Sequence, residues 1–207
     1  MSDYTVIKNI NLFLNKLPLW YYLIPYILHI ISTNLLIDKF NDVKSYKPLH
    51  DIIISNTPDL SHYINVSNYL FFFIAIFLII PLYIEPNNKI FISLFKYISV
   101  LALLRSITSY VTILPSSQTS KCKNNLGLLR YINGHCIDKI FSGHTATSLI
   151  IILMYHKYNI ISKNMVYFLL GVQFLLAISL IVTRGHYTID VIIAYLITIF
   201  VYFLLDL

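Results

Sequence analysis

His186 and Asp190 stand four residues apart in the segment HYTID, a spacing that puts two side chains on one face of a helix. A carboxylate so placed can hold one imidazole nitrogen and fix its tautomer, leaving the other nitrogen to attack an electrophile or accept a proton. A purely structural His-Asp hydrogen bond would use the same spacing. An ionisable pair at the edge of an apolar run is costly unless it is well paired or used, which favours the functional reading. His144 lies in SGHT, at the start of a second apolar run. A helix beginning there offers free backbone N–H groups to an anion; Ser142 can cap it, and Gly143 lets a phosphate approach the backbone closely. Simple capping at a membrane boundary needs no more than these residues. Arg105 is embedded in LLRSITSYVTILP, where a guanidinium needs an anionic partner or a water-filled cavity. Its fork matches phosphate oxygens, and an internal ion pair is the alternative. Lys96, nine residues earlier in the chain, is expected to snorkel toward the opposite face. Two imidazoles, a carboxylate, a guanidinium and a helix amino terminus form the equipment for phosphoryl transfer through a phosphohistidine.

The elements that must position these groups follow from composition. The chain has 207 residues, 57% hydrophobic and 12% charged, which is a membrane composition. The expected fold is all-α, an integral membrane bundle of six transmembrane helices forming one domain over residues 1–207. Spans are expected at about 18–36, 67–84, 90–113, 144–158, 165–183 and 188–205, because roughly 20 apolar residues cross a bilayer. Alternation then brings Arg105, His144 and the His186 and Asp190 pair, from three different spans, toward one membrane face.

The net charge of +6 comes from 15 Lys and Arg scattered between apolar runs. They read as loop charges and head-group anchors, and a nucleic-acid partner is not expected. The face expected to carry the chemistry holds Lys39, Lys44, Lys47, Lys121, Lys123, Arg130, Lys139 and Arg184, against Lys8, Lys16, Lys89, Lys157 and Lys163 on the other. That distribution leans against cytosolic termini. Cys122 and Cys136 share one predicted polar loop, which permits a disulfide in an oxidising compartment and equally permits two thiols. There is no Cys-x-x-Cys and no His-x-x-x-His, so the sequence calls for no metal and no other cofactor. The opening MSDYTVIKNINLFLNKLP reads as an amphipathic lead-in, not as a removed signal peptide.

Four segments, in order, resemble the sphingomyelin synthase family within the type 2 phosphatidic acid phosphatase superfamily. They are KPLHDIIISNTPDL (47–60), with Pro48, Leu49 and Asp51 in place, RSITSYVTILP (105–115), CIDKIFSGHT (136–145) and HYTIDVIIAY (186–195). Ile137 departs from the family's glycine and His50 from its usual proline. The resemblance implies a six-span transferase moving phosphocholine or phosphoethanolamine from a phospholipid donor such as phosphatidylcholine to a ceramide acceptor, with release of diacylglycerol. It implies His144, His186 and Asp190 as the catalytic residues. Arg105, Ser142, Gly143 and Asp138 would bind substrate. It also implies a Golgi, other endomembrane or plasma membrane location with a lumenal or exoplasmic active site. Homo-oligomerisation and a diacylglycerol acceptor remain open. Two rivals use the same sequence: a lipid phosphate phosphatase with water as acceptor, and a non-catalytic lipid-binding membrane protein. Against the phosphatase, Arg105 is followed by Ser106 and no arginine stands six residues before His186.

Overall fold

The computed structural model describes residues 18–39, 47–80, 83, 89–112, 114–117 and 140–206, and these are helical with short connections. A 3-10 turn, Leu19–Leu23, leads into α1 (Ile24–Lys39). A short α2 (Ile52–Asn56) precedes α3 (Ile64–Ala75), which has 3-10 turns at Ser61–Tyr63 and Ile76–Ile79 on either side. Then follow α4 (Lys89–Val111), α5 (Gly143–Lys157), α6 (Lys163–Val182) and α7 (Thr188–Asp206). Four stretches are long and apolar enough to cross a membrane: Ser61–Ile79, Lys89–Val111, Lys163–Val182 and Thr188–Leu205. Helices occupy the remaining two expected places as well, with 16 residues in α1 and 15 in α5. At 1.5 Å per residue α5 is roughly 22 Å long, short of the ~30 Å hydrocarbon core.

The brevity of α5 fits its position. It packs against α3, α4, α6 and α7 and buries Ala146, Leu149, Ile150, Ile151, Ile152, Met154 and Tyr155. A helix enclosed by protein does not have to meet lipid along its length. The outer helices turn aromatic and aliphatic side chains outward, among them Phe72, Phe73, Phe174, Phe200 and Phe203.

Lipid is as apolar as leucine, so helices in a membrane associate through close packing and interhelical hydrogen bonds. The buried polar residues here serve that purpose. Ser148 Oγ on α5 donates to Gln173 Oε1 on α6, and Gln173 Nε2 donates to the Thr145 carbonyl at 3.1 Å. Ser179 Oγ on α6 donates to Ser67 Oγ on α3 at 3.0 Å. Ser99 Oγ on α4 donates to the Tyr22 carbonyl at 2.7 Å, fixing the lead-in to α1.

Local capping explains where the helices stop. Ser142 and Ser162 cap α5 and α6, each hydroxyl accepting the N–H three residues on. Both helices end in a left-handed residue, Asn159 (φ 52°) and Arg184 (φ 59°), and in each case its own N–H and the next one return to carbonyls of the last turn. Asparagine tolerates that conformation. Arginine does not favour it, at a cost of about 1 kcal/mol.

Arg184 is held there from outside the helix. Its Nη2 donates to the Thr57 carbonyl at 2.6 Å and its Nη1 to Thr57 Oγ1 at 3.1 Å, while Ser117 Oγ donates to the Arg184 carbonyl at 2.7 Å. Leu60 N–H also reaches the Val182 carbonyl at 3.2 Å. The segment before α3 is thereby tied along the turn that joins α6 to α7. Replacing Arg184 by Gly separates the two effects, since glycine suits the left-handed position but cannot hold Thr57. R184G is expected to leave the thermal midpoint within about 3 °C of wild type while amide exchange in residues 52–60 speeds at least about tenfold. Unchanged exchange in that segment would show that the arginine does not hold it.

Candidate active site

The carboxyl end of α4 and the amino ends of α5 and α7 meet at one end of the bundle. Hydrogen bonds tie them together, Thr108 and Ser109 of α4 to the Ile140 carbonyl and two more that involve the candidate residues. Arg105 Nε on α4 donates to the Phe141 carbonyl, just before α5, at 3.1 Å. Ser142 N–H donates to the Asp190 carbonyl in the first turn of α7 at 3.2 Å.

Arg105 lies six residues before the end of α4, roughly 9 Å along the helix axis. Its guanidinium rests on Gly143 so closely that a Cβ there would come within 2.6 Å of Nη1 and 3.1 Å of Cζ. The glycine at the head of α5 is therefore the floor on which Arg105 lies. The sequence suggested close approach of a phosphate at this position; what comes close is the guanidinium that would bind one. Arg105 Nη1 also lies 3.4 Å from His29 Nε2 on α1, a histidine that the sequence did not single out. An apolar-run histidine gives no local sign of its partner.

Ser142 is fully buried, and its Oγ accepts from Thr145 N–H at 3.3 Å and from Thr145 Oγ1 at 3.1 Å. Its side chain thus acts as the helix cap that the sequence offered as the alternative to a ligand. His144 follows Gly143 on the first turn of α5, partly exposed and within electrostatic reach of both His186 and Arg105. Its ring meets Phe71 of α3 edge to face, with centroids 4.6 Å apart.

His186 and Asp190 are both buried, with Nδ1 and Oδ2 3.6 Å apart, just beyond hydrogen-bond length. Asp190 Oδ2 accepts the Tyr187 N–H at 3.1 Å. This is half of a capping box, in which a carboxylate on the first turn reaches back to the residue before the helix. Asp190 is aimed at the head of its own helix and at His186 together. The spacing of HYTID thus brings the two side chains side by side, short of the hydrogen bond that the spacing suggests. Nδ1 is the ring nitrogen turned to the carboxylate.

Tyr187 and Asp51 complete the surroundings. The buried Tyr187 hydroxyl donates to the Pro115 carbonyl at 3.0 Å and accepts the Leu49 N–H at 3.1 Å. Burial and, secondarily, the charges of Asp190 and Asp51 push its pKa up, so the phenol stays a donor through the physiological range. Asp51 accepts from Ile53, Ile54 and Thr188. Burial opposes its ionisation, but these hydrogen bonds outweigh burial and hold its pKa below 3.8. Lys96 does not snorkel: it is only 5% exposed, with Nζ 5.9 Å from the centre of the Tyr97 ring. Asp138, Cys122 and Cys136 lie outside the described residues. Among the described residues no group of three or more His, Cys, Asp or Glu is placed to hold a metal ion.

Residues 135–207 match the family model described as PAP2 superfamily C-terminal. This stretch contains His144, His186 and Asp190 but not Arg105. A comparison with curated proteins returns no match.

Two outcomes test this geometry. G143A sets a Cβ within 2.6 Å of Arg105 Nη1 and displaces the guanidinium, so turnover is expected to fall at least about tenfold, with the thermal midpoint lowered by about 2–4 °C. Asp51 has a depressed folded-state pKa, so its stabilising contribution is complete above about pH 3.8 and is lost as pH falls through the lower folded value. Amide exchange at Ile53, Ile54 and Thr188 should therefore quicken below that pH relative to α5, and a uniform response across the helices would count against it.

Proposed function

We propose that this chain is a phospholipid head-group transferase that works through a phosphohistidine. The observation that carries the reading is the convergence of Arg105 on Gly143, His144, and the His186 and Asp190 pair at one end of an apolar helical bundle. The match of the carboxyl-terminal third to PAP2 superfamily C-terminal supports lipid phosphatase or phosphotransferase chemistry. Resemblance of residues 47–60 and 105–115 to the sphingomyelin synthase family favours transfer over hydrolysis. On this reading the chain is one membrane domain of six spans, with α1 and the enclosed α5 as the two short ones, and its active end faces the lumen or exterior.

Arg105 and the N–H groups at the head of α5 hold the donor phosphate. His186 Nε2 attacks phosphorus, and the bond to the diacylglycerol oxygen breaks. Protonated His144 gives its proton to that oxygen, and diacylglycerol leaves. The neutral His144 then takes the proton from the primary hydroxyl of ceramide. Its oxygen attacks phosphorus, and the phosphorus to nitrogen bond breaks, freeing His186. Asp190 holds the imidazole tautomer and steadies the charge that forms on it. Phosphocholine or phosphoethanolamine is the group carried.

Membranes containing the protein, supplied with labelled ceramide and either phosphatidylcholine or phosphatidylethanolamine, are expected to yield a labelled sphingophospholipid from one donor. H186A should lower that yield on the order of a thousandfold or more. Release of phosphate, phosphocholine or phosphoethanolamine with no new phospholipid would replace transfer with hydrolysis, and activity surviving in H186A would remove the nucleophile.

A further inference from the structure

Segment 49–60 lies along the turn that carries His186. Its bonds fall on both sides of that residue: Leu60 to Val182 and Thr57 to Arg184 before it, Leu49 to Tyr187 and Asp51 to Thr188 after it. Asp51 is the most densely bonded residue in these links. Its Oδ2 accepts Thr188 N–H at 2.7 Å, and its Oδ1 accepts Thr188 Oγ1 at 2.9 Å. The same Oδ1 caps α2, accepting Ile53 N–H at 3.0 Å and Ile54 N–H at 3.1 Å. One carboxylate thus holds the amino ends of two helices.

Thr188 is the first residue of α7, two positions after His186 and two before Asp190. Whatever fixes Thr188 fixes the turn from which both side chains project. Free N–H groups at a helix amino terminus and the positive end of its dipole favour a carboxylate at this point. The Tyr187 N–H, adjacent in sequence, is already taken by Asp190. The first two N–H groups of this turn are thus shared between a carboxylate inside the pair and one outside it.

We infer that Asp51 is a positioning residue for the His186 and Asp190 pair, setting the head of α7 from a segment more than a hundred residues away in the chain. Four donors already occupy a carboxylate that has about four acceptor sites, so little capacity is left for a substrate group. The role is therefore to hold the imidazole in line, where a misplacement of about 1 Å can cost on the order of a hundredfold in rate. This inference rests on the phosphohistidine reading for its effect on turnover, but not for its effect on the His186 ring.

D51N is the selective test. An asparagine oxygen can keep the Oδ1 bonds, including the cap of α2, while its amide nitrogen cannot accept Thr188 N–H. T188V is the second variant, losing only the hydroxyl bond. Both are expected to keep the wild-type elution profile, with the thermal midpoint unchanged in T188V and lowered by only about 2–4 °C in D51N. The expected fall in kcat is at least about tenfold in D51N and about two- to fivefold in T188V, with KM for the phospholipid donor unchanged. T188S, which keeps both donors, should match wild type. In detergent micelles, nitrogen-15 spectra of labelled histidine should show the His186 ring signals shifted in D51N.

Wild-type kcat and His186 spectra in D51N would overturn the inference. So would a raised KM at unchanged kcat, which would make Asp51 a substrate contact, or activity lost only in step with the thermal midpoint. If no variant and no wild-type sample turns over lipid, the transferase reading fails while the His186 spectra still decide the role of Asp51.

Discussion

A guanidinium inside an apolar bundle has to be met by acceptors and by shape, and Arg105 shows how much of this fold serves that need. Nε donates to the carbonyl of Phe141, Nη1 faces His29, and the plane of the group lies on Gly143. These contacts come from α1 and from the head of α5. The interaction therefore fixes α4 against α1 and against the head of α5 at once, and the helix whose amino terminus would receive a phosphate is held beside the cation that would clamp it.

The enclosed α5 is the other half of this arrangement. Surrounded by four helices, it can carry the fully buried Thr145 and Ser148 along a path that reaches Gln173 of α6. Hydrogen bonds between helices replace the hydrophobic effect, which has little force between helices in a bilayer. The site is thus built on the ends of helices that are themselves locked by polar contacts deeper in the bundle. Such placement gives better control of geometry than a loop would.

Around the mouth of the site the chain uses its polar segments differently. Residues 49–60 form almost no core, yet they meet the α6–α7 turn at Val182, Arg184, Tyr187 and Thr188. A left-handed arginine is kept in a conformation it disfavours because its side chain and carbonyl are both engaged there. Strain at this turn and density of bonds around it go together, as they do where a turn must present a side chain in one orientation.

Much of this was legible in the residues alone. The apolar runs located the helices, the four-residue spacing of His186 and Asp190 placed them together, and the helix start within SGHT was expected to within one residue, because all three are local properties of period and capping. Local pattern could not say that Ser142 spends its hydroxyl on the cap, that Lys96 is buried, or that the close neighbour of Gly143 is Arg105. Nor could it show His29 facing the guanidinium or Asp51 holding the head of α7, since those pairs are separated by 76 and 137 positions. Which atoms fill a helix amino terminus depends on what the other helices bring to it. That is settled only when the helices pack, and it is the tertiary structure that turned a list of ionisable residues into one site.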